Sequence, residues 1–245
     1  MIPYNIFRFS IISFLIVAFS SCSEELNAEQ ILEKSVTSHG GRALWEKVSS
    51  IRYLKETTFY TPSGEIETES RQFIEHHWQP DYTLMEWEIK NNYHRAFLNA
   101  DHFTYSINGS VVNDSVVLQS TISSLSAALY VFWQPFNLLN QNAKIELDSL
   151  SPPLLKLPTL SVRVTYPQVK NSDIWHYFFD QNSFRLLATQ VLHNGNTSFI
   201  INETTETQTG LHLNETRKSY MLDVTGKIKF LRASYRYSIL EVEYH

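Results

Sequence analysis

The side chains in this sequence best suited to chemistry are its histidines and carboxylates. His76 and His77 stand together behind Glu75, with His94, His102 and His176 further on, a set that invites a metal reading. The stretch around them alternates like a strand, and neighbours on a strand point to opposite faces, so His76 and His77 would not share one ion. Glu75 and His77 do share a face, but any further ligand would have to be brought to them by the fold. Asp81, Glu86 and Glu88 are the groups a general acid and base would need. Glu86 and Glu88 alternate with Met85, Trp87 and Ile89, which makes them the water-facing side of a half-buried strand. There is no Gly-x-Ser-x-Gly, Walker-type glycine loop, His-Glu-x-x-His or Cys-x-x-Cys. The sequence therefore designates no catalytic residue, no metal ligand and no cofactor, and the expectation is a protein that is not an enzyme.

One residue has a more definite chemistry. Cys22 is the single cysteine, so no internal disulfide forms and its thiol is free for modification. Before it come Arg8, an apolar run over 11–19 and Ser20-Ser21, the build of a signal peptide whose apolar run is shorter than the roughly 20 residues a spanning helix needs. Phe19-Ser20-Ser21-Cys22 resembles a bacterial lipobox, with Phe19 where the pattern usually has Leu; in such a motif the cysteine is acylated and becomes the mature N-terminus. An ordinary signal peptide cut nearby is the alternative. The expected organisation is a leader at 1–21, a tether at 22–26 and a single β domain at 27–245. Each buried methylene of an acyl chain adds about 0.8 kcal/mol, so chains on Cys22 would hold the protein at a membrane. Ser23 in place of Asp resembles lipoproteins sorted to the outer membrane, facing the periplasm, and Glu24-Glu25 resembles an acidic surface-export tract or is simply solvated linker.

The elements that must position any site are mostly strands. Ile31, Leu32, Ser35 and Val36 fall at helical spacing after Asn27, a fair N-cap, and His39-Gly40-Gly41 stops the helix. His39 reads as a helix-end residue, favourable there if charged. From Ile51 the period becomes two: Ile51, Tyr53, Lys55, Thr57 and Phe59 share one face. Pro62-Ser63-Gly64, Lys90-Asn91-Asn92 and Asn108-Gly109 are turns between successive strands. The rhythm breaks at 118–139, where Ile122, Leu125, Leu129 and Phe132 recur at helical spacing and Pro135 ends the run. Strands then resume over 160–166, 175–179, 185–193, 198–207, 211–222 and 228–244. A hydrophobic share of 43% and charged share of 18% are ordinary for a globular chain, 13% aromatics favour strands, and a net charge of −5 gives no support to a nucleic-acid partner.

This layout resembles the LolA/LolB-like class of outer-membrane lipoprotein carriers and acceptors. The features that carry the resemblance are the N-terminal helix, Gln79-Pro80-Asp81 before a Trp-bearing strand, the inserted helix, and Trp175 to Asp180 leading into Leu186-Leu187. His39-Gly40-Gly41 with Trp45, and Gln134-Pro135-Phe136 with Leu138, are similar to a family of Bacteroidota lipoproteins grouped near that class. The resemblance implies a mainly β fold: one curved antiparallel sheet, or incompletely closed barrel, with an N-terminal helix and an inserted covering helix. It also implies an apolar cavity, for which Met85, Trp87, Ile89, Leu125, Leu129, Trp133, Phe136, Trp175 and Tyr177 are the candidate wall. These residues would either line a pocket or fill the barrel. The first alternative gives a lipid-anchored envelope protein that binds an acyl chain or other apolar ligand in lipid or lipoprotein trafficking. The second gives an envelope interaction or structural module whose partner is a protein, and a hydrolase with an unrecognised site is the third.

Overall fold

The computed structural model describes residues 25–100, 102–139, 142–170 and 172–245. The expected leader and Cys22 lie outside the described residues. Helix α1 (Ala28–Ser38) opens with a reciprocal cap: the Asn27 side chain accepts from the Gln30 N–H, and the Gln30 side chain accepts from the Asn27 N–H, both at 2.9 Å. Its face of Ile31, Leu32, Ser35 and Val36 is buried. One short turn of helix, α2 (Arg42–Trp45), follows the two glycines.

The remaining chain is dominated by one antiparallel sheet. The first meander is β1 (Val48–Tyr60), β2 (Ile66–Trp78), β3 (Asp81–Ile89), β4 (Asn92–Asn99), β5 (His102–Ile107) and β6 (Ser110–Val111). The second is β7 (Lys144–Asp148), β8 (Thr159–Thr165), β9 (Ile174–Asp180), β10 (Leu186–His193), β11 (Asn196–Thr205), β12 (Asn214–Leu222) and β13 (Ile228–Tyr244). Within each meander neighbours in sequence are neighbours in the sheet, and β1 pairs with β13 to join the two. β6 and β7 are left as opposite edges, so the sheet is curved but not closed into a barrel.

This topology dictates an inserted helix. The chain leaves the sheet at one edge and must re-enter at the other, and α3 (Ser115–Phe132) makes the crossing over the concave face. At 1.5 Å per residue its 18 residues span about 27 Å. Asp114 caps it, accepting from the N–H groups of Val116 and Val117, and a 3₁₀ turn (Phe136–Leu139) follows Pro135.

Side-chain alternation then sorts the core. A straight cross-strand row of Tyr53, Ile74, Met85, Ala96 and Tyr105 runs from β1 to β5 and meets Leu125, Ala128 and Phe132 of α3, with the Tyr53 and Phe132 rings stacked 3.9 Å apart. Under α1, Ile31 and Leu32 pack on Val162, Val164, Tyr177 and Phe179. A third group, Phe178, Ala188, Phe199 and Leu222, faces the other side of the sheet, where Leu150 and Leu155 cover it.

Three local expectations need correcting. The strand read at 211–222 begins only at Asn214, because the Glu206 carboxylate gathers the N–H groups of Gln208, Thr209 and Leu213 and folds the intervening segment into a loop, with Leu211 and Leu213 driven into the core. The short edge strand β7 was not expected at all. His39 ends α1 as its C-cap, but not as a charged residue: it is 1% exposed, its Nδ1–H donates to the His212 carbonyl (3.0 Å), and its Nε2 accepts from the Leu186 N–H (3.2 Å). Burial holds its pKa down, to about 4. Gly40 is needed beside it, since at φ 103° any Cβ would lie 2.1 Å from the Gly210 carbonyl oxygen.

Candidate functional site

The histidines and carboxylates considered first do not converge. His76 bonds Thr83, His77 bonds Glu75 and stacks on Tyr82, His94 bonds Tyr105, and His176 bonds Asp148, each at 2.5–2.8 Å. Glu86 is paired with Arg95 on the outer face. Among the described residues no group of three or more His, Cys, Asp or Glu is placed to hold a metal ion.

The feature that does stand out is a cavity of about 430 Å³ on the concave face, beneath Ser124, Ala127, Ala128 and Val131 in the C-terminal half of α3. Its position follows from the covering elements. The C-terminal half of α3 seals the sheet over β1–β5, α1 seals it over β8–β10, and between them the centre of the sheet is left open. One wall is apolar, made by Trp175, Val191 and Ile200 with Ala127, Ala128 and Val131 of the helix. The floor is polar: Lys55 and Thr57 of β1, Tyr235 and Tyr237 of β13, and Arg217 of β12. Strand register puts these side by side, because Lys55 faces Tyr237 and Thr57 faces Tyr235, which faces Arg217 in turn. Burial, with the neighbouring Arg217 charge adding to it, brings the Lys55 pKa down to about 8. Burial raises the Tyr235 hydroxyl to about 12.

The helix that roofs the cavity is held unevenly. Its C-terminal end is fixed by the Phe132 stack and by a buried hydroxyl network in which Tyr130 bonds Tyr177 (2.8 Å), Tyr166 donates to Tyr130 (3.1 Å) and Gln134 donates to Tyr177 (3.0 Å). Its N-terminal end is the more exposed one, with Val116 77% and Val117 40% exposed. No charged residue occurs in its sequence, and by length and composition alone it could cross a membrane, though only a minor share of it is buried in the fold.

Of the nine residues expected to form the wall, Trp175 lines this cavity. Met85, Leu125, Trp133, Phe136 and Tyr177 are buried in the packed clusters on either side, and Trp87 and Leu129 lie half-buried against the first of these. Ile89 is 47% exposed. The cavity floor was not anticipated. Its signal was a lysine on the inward face of β1 among Ile51, Tyr53 and Phe59, whereas nothing local marks Arg217, whose neighbourhood is made by distant strands.

No protein-family model matches the sequence, and neither does any curated protein. Among solved structures, a LolA superfamily protein from Nitrosomonas europaea superposes with a TM-score of 0.54 at 10% identity, over 90% of this chain and 94% of that one. MucB in complex with MucA(peri) gives a TM-score of 0.25 at 11% identity, over 89% and 56% of the two chains. The lipoprotein LppX from Mycobacterium tuberculosis gives 0.27 at 10% identity, over 87% and 95%. The first of these establishes a LolA-like fold for the chain.

Proposed function

We propose that this chain is a lipid-anchored cell-envelope protein, not an enzyme, which holds an acyl chain or another apolar ligand in its half-barrel and serves lipid or lipoprotein trafficking. The observation that carries the reading is the cavity under α3, whose 430 Å³ falls in the ~300–1,000 Å³ range of small-molecule sites. Burial of apolar ligand surface, at roughly 25 cal/mol per Å², supplies the affinity. Helix α3 acts as the gate, hinged at its fixed C-terminal end and opening at the end where Val116 and Val117 are exposed. Acylated Cys22 supplies the membrane anchor, with the outer membrane as the location.

The test is native mass spectrometry of the chain starting at Ser23, produced in a bacterial periplasm and purified without detergent, followed by organic extraction of anything bound. With the anchor gone, lipid in the sample must sit in the fold. A stoichiometric acyl-bearing adduct, lost in a folded Val131→Asp variant, supports the reading. A clean apo mass that stays clean after incubation with envelope lipids overturns it and favours a filled module that works through a protein partner.

A further inference from the structure

An apolar chain needs no cation, yet the cavity floor has two. Arg217 is 2% exposed; its Nε–H donates to Asn202 Oδ1 at 2.8 Å and it also hydrogen-bonds Tyr237, both neutral partners. The Lys55 ammonium lies 6.0 Å from the Tyr235 ring centroid. Among the described residues neither forms an ion pair, whereas Lys144, Arg163, Lys218 and Arg232 all do. The nearest carboxylates along β1, β11 and β12 have other partners, Glu56 with Arg71, Glu203 with Lys218 and Glu215 with the Thr204 hydroxyl, and among the described residues no Asp or Glu lines the cavity. Buried charges are normally paired, and two like charges set close together make an unpaired state costlier still. The missing member of this arrangement is an anion.

We propose that Lys55 and Arg217 form a head-group subsite, and that the ligand is a single-chain amphiphile with an anionic head, carboxylate or phosphate monoester. This rests on the apolar-ligand reading above and narrows it. The guanidinium presents parallel N–H donors that fit either head, and Lys55 adds a second charge from the adjacent side. From that point the apolar wall of Trp175, Val191 and Ile200 offers the path for the chain. Capacity argues for one chain: 430 Å³ holds about fourteen groups the size of a water, at roughly 30 Å³ each, and a methylene is of similar size.

The experiment is competition for a neutral fluorescent probe, N-phenyl-1-naphthylamine, bound to the delipidated chain starting at Ser23. The competitors are dodecanoic acid, dodecyl phosphate, dodecanol and inorganic phosphate. At least one of the two anionic amphiphiles is expected to compete tenfold or more better than dodecanol, and the better one identifies the head group. Lys55→Gln and Arg217→Gln are each expected to cut that advantage to threefold or less while leaving dodecanol unchanged. The comparison among ligands on the unmodified chain needs no variant, so it stands even if Arg217→Gln fails to fold. If dodecanol competes as well as the acid and the phosphate, the head-group assignment is wrong and the apolar-ligand reading survives. Inorganic phosphate competing on its own as well as dodecyl phosphate overturns the amphiphile in favour of a free anion. If the probe and every amphiphile stay unbound, both readings fail together.

Discussion

Protonating His39 should unlatch the junction of α1 with the second meander. In the neutral ring Nδ1–H donates to His212 and Nε2 accepts from the Leu186 N–H, so both nitrogens are used. A proton on Nε2 would turn that acceptor into a donor facing another donor, inside a site that is 1% exposed. Burial lowers the folded pKa from 6.5 to about 4, so the unfolded chain takes the proton more readily. The contribution is fully present above pH 6.5 and is lost as pH falls towards 4, where it amounts to about 3 kcal/mol at 1.36 kcal/mol per pK unit. Other groups titrate in the same window, so the quantity to measure is a difference. Urea unfolding followed by tryptophan fluorescence, at intervals from pH 7.5 to 4, should be run on the wild type and on His39→Gln, which keeps an acceptor but does not titrate. The wild type's advantage over the variant should shrink by about 3 kcal/mol across that range. A difference that stays level within about 0.5 kcal/mol would mean that the ring is charged or solvated at neutral pH, and the argument from its two hydrogen bonds would be refuted.

Gly40→Ala should cost more than about 2 kcal/mol, because strain at positive φ is joined by a collision with the Gly210 carbonyl; Gly41→Ala, with open space around it, should cost about 1. Equal losses in urea titrations would dispose of the collision. Lys55 carries a desolvation cost that is fully present below about pH 8 and is relieved as pH rises towards 10.5. Ligand-free Lys55→Met should therefore be about 1 kcal/mol more stable than wild type at pH 7, with the gain fading by pH 10; a loss at pH 7 would contradict an unpaired cation. Tyr53 is fully buried with no partner for its hydroxyl among the described residues, so Tyr53→Phe should raise thermal stability, by about 1 kcal/mol, and a fall in Tm would point to a hydrogen bond that the arrangement lacks.

Local signals in this sequence are strong and were read correctly where the answer is local. Asn27 with Gln30 closes its capping box, Ile51 to Phe59 alternate as β1 does, Asn108-Gly109 makes the tight turn before β6, and Leu125 and Phe132 mark the buried stripe of α3. What failed was set by partners far along the chain. His39 does cap α1, but its buried, uncharged state depends on His212 and Leu186, which the fold brings to it from far along the chain. Leu211 and Leu213 alternate like strand residues, but the Thr209 hydroxyl takes the Leu211 N–H and the Glu206 carboxylate takes that of Leu213. The polar floor of the cavity is the clearest case: Lys55, Arg217 and Tyr235 come from three strands, and only the pairing register makes them neighbours. The aromatics could as well line a pocket as fill the sheet, and most of them went into packing beside the opening.

The pairing of β1 with β13 bears on how such a sheet can be made. Val48 sits opposite Tyr244 and Phe59 opposite Ala233, so the central seam joins the first strand of the sheet to β13, while each meander is stitched from near neighbours. The halves can form early and quickly; the seam is the non-local step and waits for β13. Until then each half presents a long bare edge, β1 in one and β13 in the other, of the kind that recruits foreign strands. Those edges are complementary to each other. Severing the chain in the crossing between β6 and α3 would leave two fragments, each an intact meander, able to reassemble by zipping along that seam.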